Sequence, residues 1–453
     1  MRQVSFLLGT LLFCVTLTPC LVSAQAPPKG FSSDEIYTRI TTSRIHRYKL
    51  VVAPMPVEGI SLPDSIDAAM QLKNIIIDDL DFSLRFDVMN RRINEFSLLS
   101  LNSAKDRVGF KGWQSTGAEY LVAGSFFEID QTPMVEIRVY DLSLEDLVFL
   151  KNYTLDFARL RRVAHHIADD IVLNVTGERG IASTRIALII PISKDTRELF
   201  YCDYDGYDLS RVTHDSSIAM IPSWSPDGNK ISYTSHKGAD ADLYLADLKT
   251  GKNSVLQAAK GVDMAASWCA SNGFCAFSSG VTGNQEIYYL RPGEVKPVRI
   301  TFSYAMDIEP TWSPNGMEIA FASTRAGNPQ IFIMDSDGLN LRRLTFESRN
   351  FTPSWRPLPF GDKILLTSEI RGLFQIAIID VNGENFIQLT TDGENRAASW
   401  SPDGLHIVFS SDRRGGRGNP EIFTMDWDGN SQRPLNKNFR PGKEPGWSPF
   451  LDW

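Results

Sequence analysis

The sequence predicts an α/β domain followed by an all-β, six-bladed β-propeller that closes by pairing N-terminal and C-terminal strands in one blade. Two observations lead to this prediction: a turn motif recurs through the C-terminal half, and the region before it has mixed helix and strand periodicity. The motif is Trp-Ser-Pro-Asp-Gly, as in residues 224–228 and 400–404, and successive tryptophans lie 43 to 47 residues apart. A repeat of this length with a turn signature is typical of propellers.

Each repeat predicts one four-stranded antiparallel blade. Ser, Pro and Gly occupy the positions that they favour in a type I turn, so the motif joins the first and second strands. Alternating β-branched and aromatic runs follow at residues 407–409 and 422–425, and a second turn, Asp-Trp-Asp-Gly, ends at residue 429. A fourth short strand completes the meander.

The two ends of the repeat region predict how the ring closes. Residues 184–190 and 198–206 resemble the second and third strands of a repeat, but no Trp-Ser-Pro turn precedes them. That turn is found instead at residues 447–449. Joining the two pieces gives a sixth blade and leaves no open sheet edge. We therefore predict a six-bladed propeller over residues 183–453.

Three segments precede the propeller. Residues 1–24 have one arginine, an apolar core and the small residues Val22-Ser23-Ala24, which predicts a secretory signal peptide cleaved near Ala24. Residues 25–48 are polar and contain Pro27-Pro28, which predicts an extended arm. We expect residues 49–182 to form the α/β domain.

The α/β domain is predicted from a change of periodicity. A buried strand is expected at residues 50–55, and the apolar positions 66, 69, 70, 76, 77 and 80 predict one face of a helix. Strands are expected at residues 120–127, 135–140 and 148–155. A helix from about residue 157 should end at Gly177, a residue type favoured just after helices. This order predicts a mixed sheet.

Composition excludes several classes of partner. The chain has 453 residues, 43% of them hydrophobic, and a net charge of −8. Such acidity argues against a nucleic acid or an acidic membrane surface as the partner. After the signal peptide no run is long and apolar enough to span a bilayer, so we expect a soluble monomer without direct membrane insertion.

Two helical His/Asp pairs raise the question of a metal site. His165 and His166 each precede an aspartate by four residues, Asp169 and Asp170 respectively. Adjacent helical residues point about 100° apart, so the two pairs should diverge. We expect solvated surface pairs and no metal.

The cysteines outside the signal peptide are Cys202, Cys269 and Cys275. Their spacing matches no metal motif. Cys269 and Cys275 flank one turn of the repeat, and an exported protein meets an oxidising compartment. The sequence therefore allows a disulfide between them and, as the alternative, two buried free thiols.

The loop geometry predicts where a partner would bind. Both tight turns of each blade should lie on one face, which we call the turn face, and the longer loops should surround the channel mouth on the other. Arginine, histidine and carboxylate side chains there suit a polar peptide or protein loop; for any one of them, a solvated turn is the alternative. The candidate residues are His236, Asp263, Asp307, Glu309, Arg325, Asn350, Arg371 and Arg413.

Sequence motifs for catalysis are missing. The chain contains neither Gly-x-Ser-x-Gly nor His-Glu-x-x-His, and it has no phosphate-binding loop or Gly-x-Gly-x-x-Gly motif. We therefore predict a non-enzymatic protein without a cofactor. The alternative is a secreted propeller enzyme, a polysaccharide lyase or a peptidase-like protein, with a mouth metal held by His214 and His236. A third possibility is a propeller that regulates a separate hydrolase.

The order of signal peptide, arm, α/β domain and six blades resembles the TolB family, periplasmic components of the Tol-Pal system of Gram-negative bacteria. The most specific segments are Leu-Arg-Arg-Val-Ala-His at residues 160–165 and Pro-Gly-Trp-Ser-Pro-Phe-Leu at residues 445–451. The resemblance extends over essentially all of the chain after the signal. It departs in the arm, in the cysteine-bearing repeat and at residues 355–359.

The resemblance implies two partners. The propeller mouth of this family receives the peptidoglycan-associated lipoprotein Pal, and the N-terminal arm engages the inner-membrane protein TolA. Together these contacts link the envelope layers and support outer-membrane integrity and constriction at cell division. By position alone, the arm contact maps onto Gln25, Pro27, Pro28, Lys29 and Phe31.

Overall fold

The structure is a computed structural model, and it describes residues 46–57, 65–91, 103–104, 107–435 and 441–452. The predicted signal peptide and the arm residues Gln25 to Phe31 lie outside these ranges. Within them the fold is an α/β domain followed by a six-bladed propeller, as predicted. The exact domain boundaries remain a prediction.

The α/β domain is built on a five-stranded mixed sheet with strand order β2-β1-β5-β6-β7. β1 is parallel to both β2 and β5, whereas β5, β6 and β7 are antiparallel. The elements of this domain are β1 (Tyr48–Val52), α1 (Ser65–Phe82), β2 (Phe86–Val88), β3 (Ser103–Ala104), β4 (Arg107–Val108), α2 (Phe110–Gln114), β5 (Tyr120–Ile129), β6 (Thr132–Asp141), β7 (Asp146–Thr154) and α3 (Leu160–Thr176).

Helices α1 and α3 pack together over this sheet. Leu72, Ile76 and Leu80 of α1 are buried in the core, but Ile66 and Met70 at its start are exposed, contrary to the predicted apolar face. Helix α3 ends as predicted, because Gly177 adopts a left-handed conformation with φ 76° and its amide returns to the Leu173 carbonyl. None of the helices in the described ranges is long and apolar enough to cross a membrane.

The propeller consists of six antiparallel four-stranded sheets, which we call blades 1 to 6. Blades 2 to 6 each use four consecutive strands, the first of which lies at the centre of the ring, whereas the innermost strand of blade 1 is β31. The strands are, for blade 1, β8 (Arg185–Pro191), β9 (Arg197–Asp203), β10 (Ser210–Arg211) and β31 (Lys443–Trp447); for blade 2, β11 (Ala219–Trp224), β12 (Lys230–Ser235), β13 (Asp242–Asp247) and β14 (Lys252–Gln257); for blade 3, β15 (Asp263–Trp268), β16 (Cys275–Ser279), β17 (Glu286–Leu290) and β18 (Val298–Arg299); for blade 4, β19 (Asp307–Trp312), β20 (Glu318–Ser323), β21 (Gln330–Asp335) and β22 (Arg342–Arg343); for blade 5, β23 (Asn350–Trp355), β24 (Lys363–Ile370), β25 (Leu373–Asp380) and β26 (Ile387–Gln388); for blade 6, β27 (Asn395–Trp400), β28 (His406–Ser411), β29 (Glu421–Asp426) and β30 (Arg433–Pro434).

The ring closes in blade 1, as predicted. β31 pairs antiparallel with β8, with Trp447 opposite Ile186 and Gly446 opposite Ala187. The Trp447 indole is buried and its Nε1 donates to Thr184 Oγ1 at 2.8 Å. Two strands separated by about 250 residues of chain therefore complete one sheet.

The Trp-Ser-Pro-Asp-Gly motif forms the predicted turn between the first two strands. In blade 6 the Gly404 amide donates to the Ser401 carbonyl at 2.9 Å, and Gly404 has φ 66°. Asp403 accepts from the Ser401 hydroxyl and from the Leu405 amide. Ser401 and Asp403 of the motif thus form their hydrogen bonds within the turn itself.

The suggested disulfide is not formed, because Cys269 and Cys275 are both free and buried. They face opposite sides of blade 3: Cys269 packs with Trp312 of blade 4, whereas Cys275 packs with Leu243 of blade 2. The backbone pairs Cys275 with Trp268, the residue before Cys269. Because successive strand residues point to opposite faces, this register separates the two thiols.

The α/β domain is joined to the turn face of the propeller by a buried polar cluster, the interdomain cluster: Asp79 of α1, Arg161 and His165 of α3, and Tyr204 and Asp205 of blade 1. Asp79 accepts from Tyr204 Oη at 2.6 Å and lies 2.7 Å from His165 Nδ1. Asp205 binds the Arg161 guanidinium. The expectation of a solvated His165 was wrong, because the side chain is 2% exposed and its partner is Asp79 rather than Asp169.

The interdomain cluster has the composition of a metal site but is already balanced in charge. Asp79, His165 and Asp205 are the one group of possible metal ligands found within the described ranges. The Arg161 guanidinium, however, already neutralises the Asp205 carboxylate. We therefore interpret the cluster as an ion-pair and hydrogen-bond network that holds the two domains together.

Candidate functional site

A central cavity of about 770 Å³ opens through the propeller and is lined by the innermost strands of all six blades. Its wall has a repeated composition, because four of these strands place a proline at the same position and the other two place an alanine there. These residues are Pro222, Ala266, Pro310, Pro353, Ala398 and Pro445. All six blades therefore present an apolar residue to the cavity at the same level.

Each innermost strand is interrupted by a β-bulge just before that proline or alanine. The bulged residue has φ between 45° and 57°, and the pairing register breaks at the same place in every blade. The six residues are Ile221, Ala265, Glu309, Thr352, Ala397 and Glu444. None is a glycine, so the surrounding structure must stabilise a conformation that such residues rarely adopt.

Four of the six bulges are held by hydrogen bonds between blades. The Ile221 amide donates to Glu444 of blade 1 at 2.6 Å, and the Thr352 amide donates to Glu309 of blade 4 at 2.7 Å. The amides of Ala265 and Ala397 make longer contacts of 3.4 and 3.2 Å with threonine hydroxyls. In all four cases the acceptor lies on the preceding blade, so the contacts join neighbouring sheets.

Two carboxyl groups therefore face the cavity from opposite sides, since Glu309 and Glu444 lie three blades apart in a ring of six. Burial raises the pKa of Glu309 to about 7, with the negative charge of Glu444 adding to the effect and the Thr352 amide opposing it. Burial also raises the pKa of Glu444. Near neutral pH the cavity thus holds less negative charge than two ordinary glutamates would give it.

The cavity mouth carries a row of two aromatic side chains flanked by two arginines on blades 5 and 6, which we call the rim row: Arg349, Phe351, Phe374 and Arg396. The Arg396 guanidinium lies 3.6 Å from the Phe374 ring centroid, and Phe374 lies 6.0 Å from Phe351. Arg349 lies 5.4 Å from Phe351. All four residues line the cavity, and both arginines are exposed.

Of the eight predicted mouth residues, only Glu309 lines the cavity. His236 and Arg371 are exposed on the long-loop face, whereas Asp263, Asp307 and Asn350 are at most 1% exposed. These three begin the innermost strands and support the loops above them.

The two remaining predicted arginines, Arg325 and Arg413, hydrogen-bond to the buried first residues of two innermost strands. Arg325 Nη2 donates to Asp307 at 2.6 Å, and Arg413 Nη2 donates to Asn395 Oδ1 at 2.9 Å. The structure therefore does not bring the eight predicted residues together as one surface.

The rim row was missed although two of its residues, Arg349 and Phe351, flank the predicted Asn350. Arg396 likewise follows Asn395, which is the buried residue at the equivalent position of blade 6. Because side chains alternate along a strand, the neighbours of a buried strand residue point the other way. This alternation was the sequence signal that would have pointed to the rim row.

The mouth metal considered for a lyase has no support in the cavity. His214 and His236 are both exposed, and neither belongs to the cavity lining. The interdomain cluster, the one possible metal-ligand group of the described chain, lies on the turn face instead. No observation therefore favours the enzymatic alternative.

Comparison with known proteins identifies both parts of the chain. Residues 172–451 match a family model described as the TolB beta propeller domain, and residues 37–148 match one described as the TolB amino-terminal domain. The first match alone extends over more than half of the chain.

Similar relatives include the Tol-Pal system protein TolB of Desulfosudis oleivorans, 33% identical over 275 residues, and a TolB homolog of Chlorobaculum tepidum, 34% identical over 234 residues. These matches cover 59% and 51% of this chain, and they span only 60% and 52% of the relatives' own lengths. Among solved structures, the crystal structure of TolB from Acinetobacter baumannii is similar with a TM-score of 0.75 and 26% identity, over 89% of this chain and 97% of that one.

Proposed function

This chain belongs to the TolB family, and from that premise we propose that it is a non-enzymatic, protein-binding scaffold of the Tol-Pal system in the periplasm. Its propeller mouth binds the peptidoglycan-associated lipoprotein Pal, and its N-terminal arm binds TolA. Bound to both, the protein links the envelope layers and supports outer-membrane integrity and constriction at cell division.

The rim row is the observation that best supports a protein ligand at the mouth. Arginine and aromatic side chains dominate the binding energy of many protein interfaces, particularly beside a pocket that excludes water. Here Arg349, Phe351, Phe374 and Arg396 stand at the opening of a cavity of about 770 Å³. Exposed apolar residues on the long loops, Phe302, Tyr304 and Phe346, add further contact area on the same face.

Binding of purified Pal to the variant Arg349→Ala/Arg396→Ala tests this assignment. We expect the dissociation constant to rise at least tenfold, because about 1.4 kcal/mol or more is lost when two such side chains are removed from a binding surface. The matched control is Arg179→Ala/Arg291→Ala, since these arginines are also about half exposed and stack on aromatic rings away from the cavity. If both variants bind Pal within twofold of wild type, the mouth is not the Pal site.

The arm is assigned to TolA from the family resemblance and its position alone. Deleting residues 25–35 should abolish TolA binding and leave Pal binding unchanged. Loss of neither would remove the arm assignment, and loss of both would show that the deletion disturbs the folded protein. N-terminal sequencing of the exported protein tests the predicted cleavage near Ala24.

A further inference from the structure

The turn face of blades 4 and 5 exposes four apolar side chains, which we call the turn-face patch: Met317, Leu339, Leu358 and Phe360. Met317 is 68% exposed, Leu339 63%, Leu358 61% and Phe360 38%. Side chains of this size at neighbouring positions are uncommon on a surface that faces only water. The patch is remote from the mouth, because it is built from the tight turns at the opposite end of the blades.

Hydrogen bonds join the turns of blades 4 and 5 that carry the patch. In blade 4 the Ser336 amide donates to the Met317 carbonyl at 2.8 Å, which joins the two turns of that blade. In blade 5 the Val381 amide donates to the Asp362 carbonyl at 3.1 Å. Arg342 of blade 4 donates to the Val381 carbonyl at 2.7 Å and so connects the two blades.

The same turn position is already a docking point elsewhere in this protein. Met317 follows Gly316 of the turn motif just as Leu405 follows Gly404 in blade 6. Leu405 is fully buried, and the next residue, His406, stacks on Phe82 at the end of helix α1 with its Nε2 2.7 Å from the Phe82 carbonyl. In blade 6 the turn face is therefore covered by the α/β domain, whereas in blade 4 an equivalent apolar residue has no cover within the described chain.

The patch is continuous with that covered surface. The buried Arg356 guanidinium lies 3.9 Å from the Phe360 ring centroid on one side and 4.7 Å from the Trp427 ring centroid of blade 6 on the other. Phe360 thus ends a row of packed side chains that begins in the blade covered by the α/β domain. A protein bound to the patch would extend an interface that already exists.

The charges around the patch indicate what kind of partner fits. The exposed residues Asp337 and Glu384 frame it, whereas the exposed Asp362 already pairs with Arg356 and Lys363. The cations nearby are engaged, since Arg342 pairs with Glu318, and Lys363 also pairs with Asp380. A second copy of this chain would present the same acidic frame, and the whole chain carries a net charge of −8. Self-association is therefore opposed, and a basic partner is favoured.

We propose that the turn-face patch is the docking site for a basic amphipathic helix of another protein. The apolar side chains of the partner helix lie on Met317, Leu339 and Leu358, and its lysine or arginine residues face the acidic side chains around the patch. A helix is the element that this protein itself places on the turn face, where α1 meets blade 6.

A labelled synthetic helix tests the proposal on the full mature chain. The probe is a peptide of about 18 residues, long enough for five helical turns, with leucine on one face and lysine on the other, and its binding is followed by fluorescence anisotropy. Met317→Ser/Leu339→Ser/Leu358→Ser should weaken binding at least tenfold, because burial of apolar surface drives such docking. Phe360 is left in place because its ring packs on Arg356.

Three controls make the result decisive. Leu144→Ser/Val255→Ser/Ile129→Ser removes similarly exposed apolar residues of the α/β domain and of the outer strand of blade 2, and this variant should bind like wild type. The Arg349→Ala/Arg396→Ala variant should also bind the probe normally, so that loss of Pal binding at the mouth and loss of helix binding at the patch are separable. A peptide with glutamate in place of lysine should bind at least tenfold more weakly.

Several outcomes would overturn the proposal: no binding by wild type, equal binding by the patch variant, or equal binding of the glutamate peptide. Photocrosslinking in cells, with a benzophenone amino acid at position 317 and a control at position 144 of the α/β domain, identifies the natural occupant. A crosslinked peptide with basic amphipathic character, obtained only from position 317, supports the proposal. A crosslink to a second copy of this chain, or equal yields at both positions, refutes it.

Discussion

Replacing Tyr204 with phenylalanine should weaken the attachment of the α/β domain to the propeller. Tyr204 Oη donates to Asp79 at 2.6 Å, and both side chains are at most 4% exposed, so the change leaves a buried carboxylate oxygen without this donor. A hydrogen bond to a charged group is worth about 1.5–3 kcal/mol. We expect the free energy of unfolding to fall by about 2 kcal/mol, or the unfolding equilibrium constant to rise about thirtyfold.

Urea unfolding, followed by tryptophan fluorescence, measures the loss, and hydrogen exchange locates it. Amides near the end of α1, along α3 and around residues 203–206 should lose protection together, since the cluster spans both domains. The control is Tyr153→Phe, because Tyr153 makes a similar bond to Asp170 at 2.7 Å within the α/β domain alone. A loss below about 0.5 kcal/mol, the lower limit for a net hydrogen bond, or unchanged exchange at the interface, would refute the reasoning.

Three further perturbations follow from the structure. Burial raises the pKa of Glu309 to about 7. The charged Glu309 carboxylate therefore lowers the free energy of unfolding increasingly as pH rises from about 4.3, the ordinary glutamate value, through 7. Glu309→Gln should raise the melting temperature at pH 8.5 and change it little at pH 4. Burial alone lowers the pKa of His165, but the carboxylates of Asp79, Asp205 and Asp203 together outweigh burial and raise it. The stabilising charge is therefore present below about pH 6.5 and is lost as pH rises through the higher folded pKa. His165→Asn should thus destabilise the protein more at pH 6 than at pH 9 in urea unfolding, and an equal effect at both would contradict this. Trp447→Ala leaves a cavity in blade 1 and should lower the free energy of unfolding by about 3–5 kcal/mol. A loss of less than half of that by calorimetry would mean that closure by β31 contributes little to the stability of the protein.

The blade count and the closure could be predicted because they depend on local turn chemistry. Ser401, Asp403 and Gly404 interact within their own turn, so the motif has the same meaning wherever it recurs. The closing strand was identified for the same reason, since residues 447–449 are the start of that motif.

Tertiary partners could not be predicted in this way. The partner of His165 is Asp79, which lies 86 residues earlier in the chain, and helical spacing pointed to Asp169 instead. Asp169 in fact accepts hydrogen bonds from the amides of Ala182 and Ser183 and fixes the link into the propeller. The side chain that a residue contacts depends here on how two domains meet.

The mouth residues show a second limit. Charged residues on the long-loop side were taken as candidates by their place in the repeat, but the repeat places its most regular polar residues, such as Asp307 and Asn350, in buried supporting positions. The rim row breaks the repeat and depends on side chains from two blades. The β-bulges were also beyond prediction, because residues as different as Ile221 and Thr352 adopt the same left-handed conformation.

The closing of blade 1 has a consequence for how the protein is made. β8 is synthesised before blades 2 to 6, whereas its sheet partner β31 is synthesised after them. Until then the nascent ring keeps one strand edge unprotected while five later sheets assemble beside it. The propeller can therefore close only after β31 has been synthesised, and a chaperone that shields residues 185–191 during that interval would protect the open strand edge.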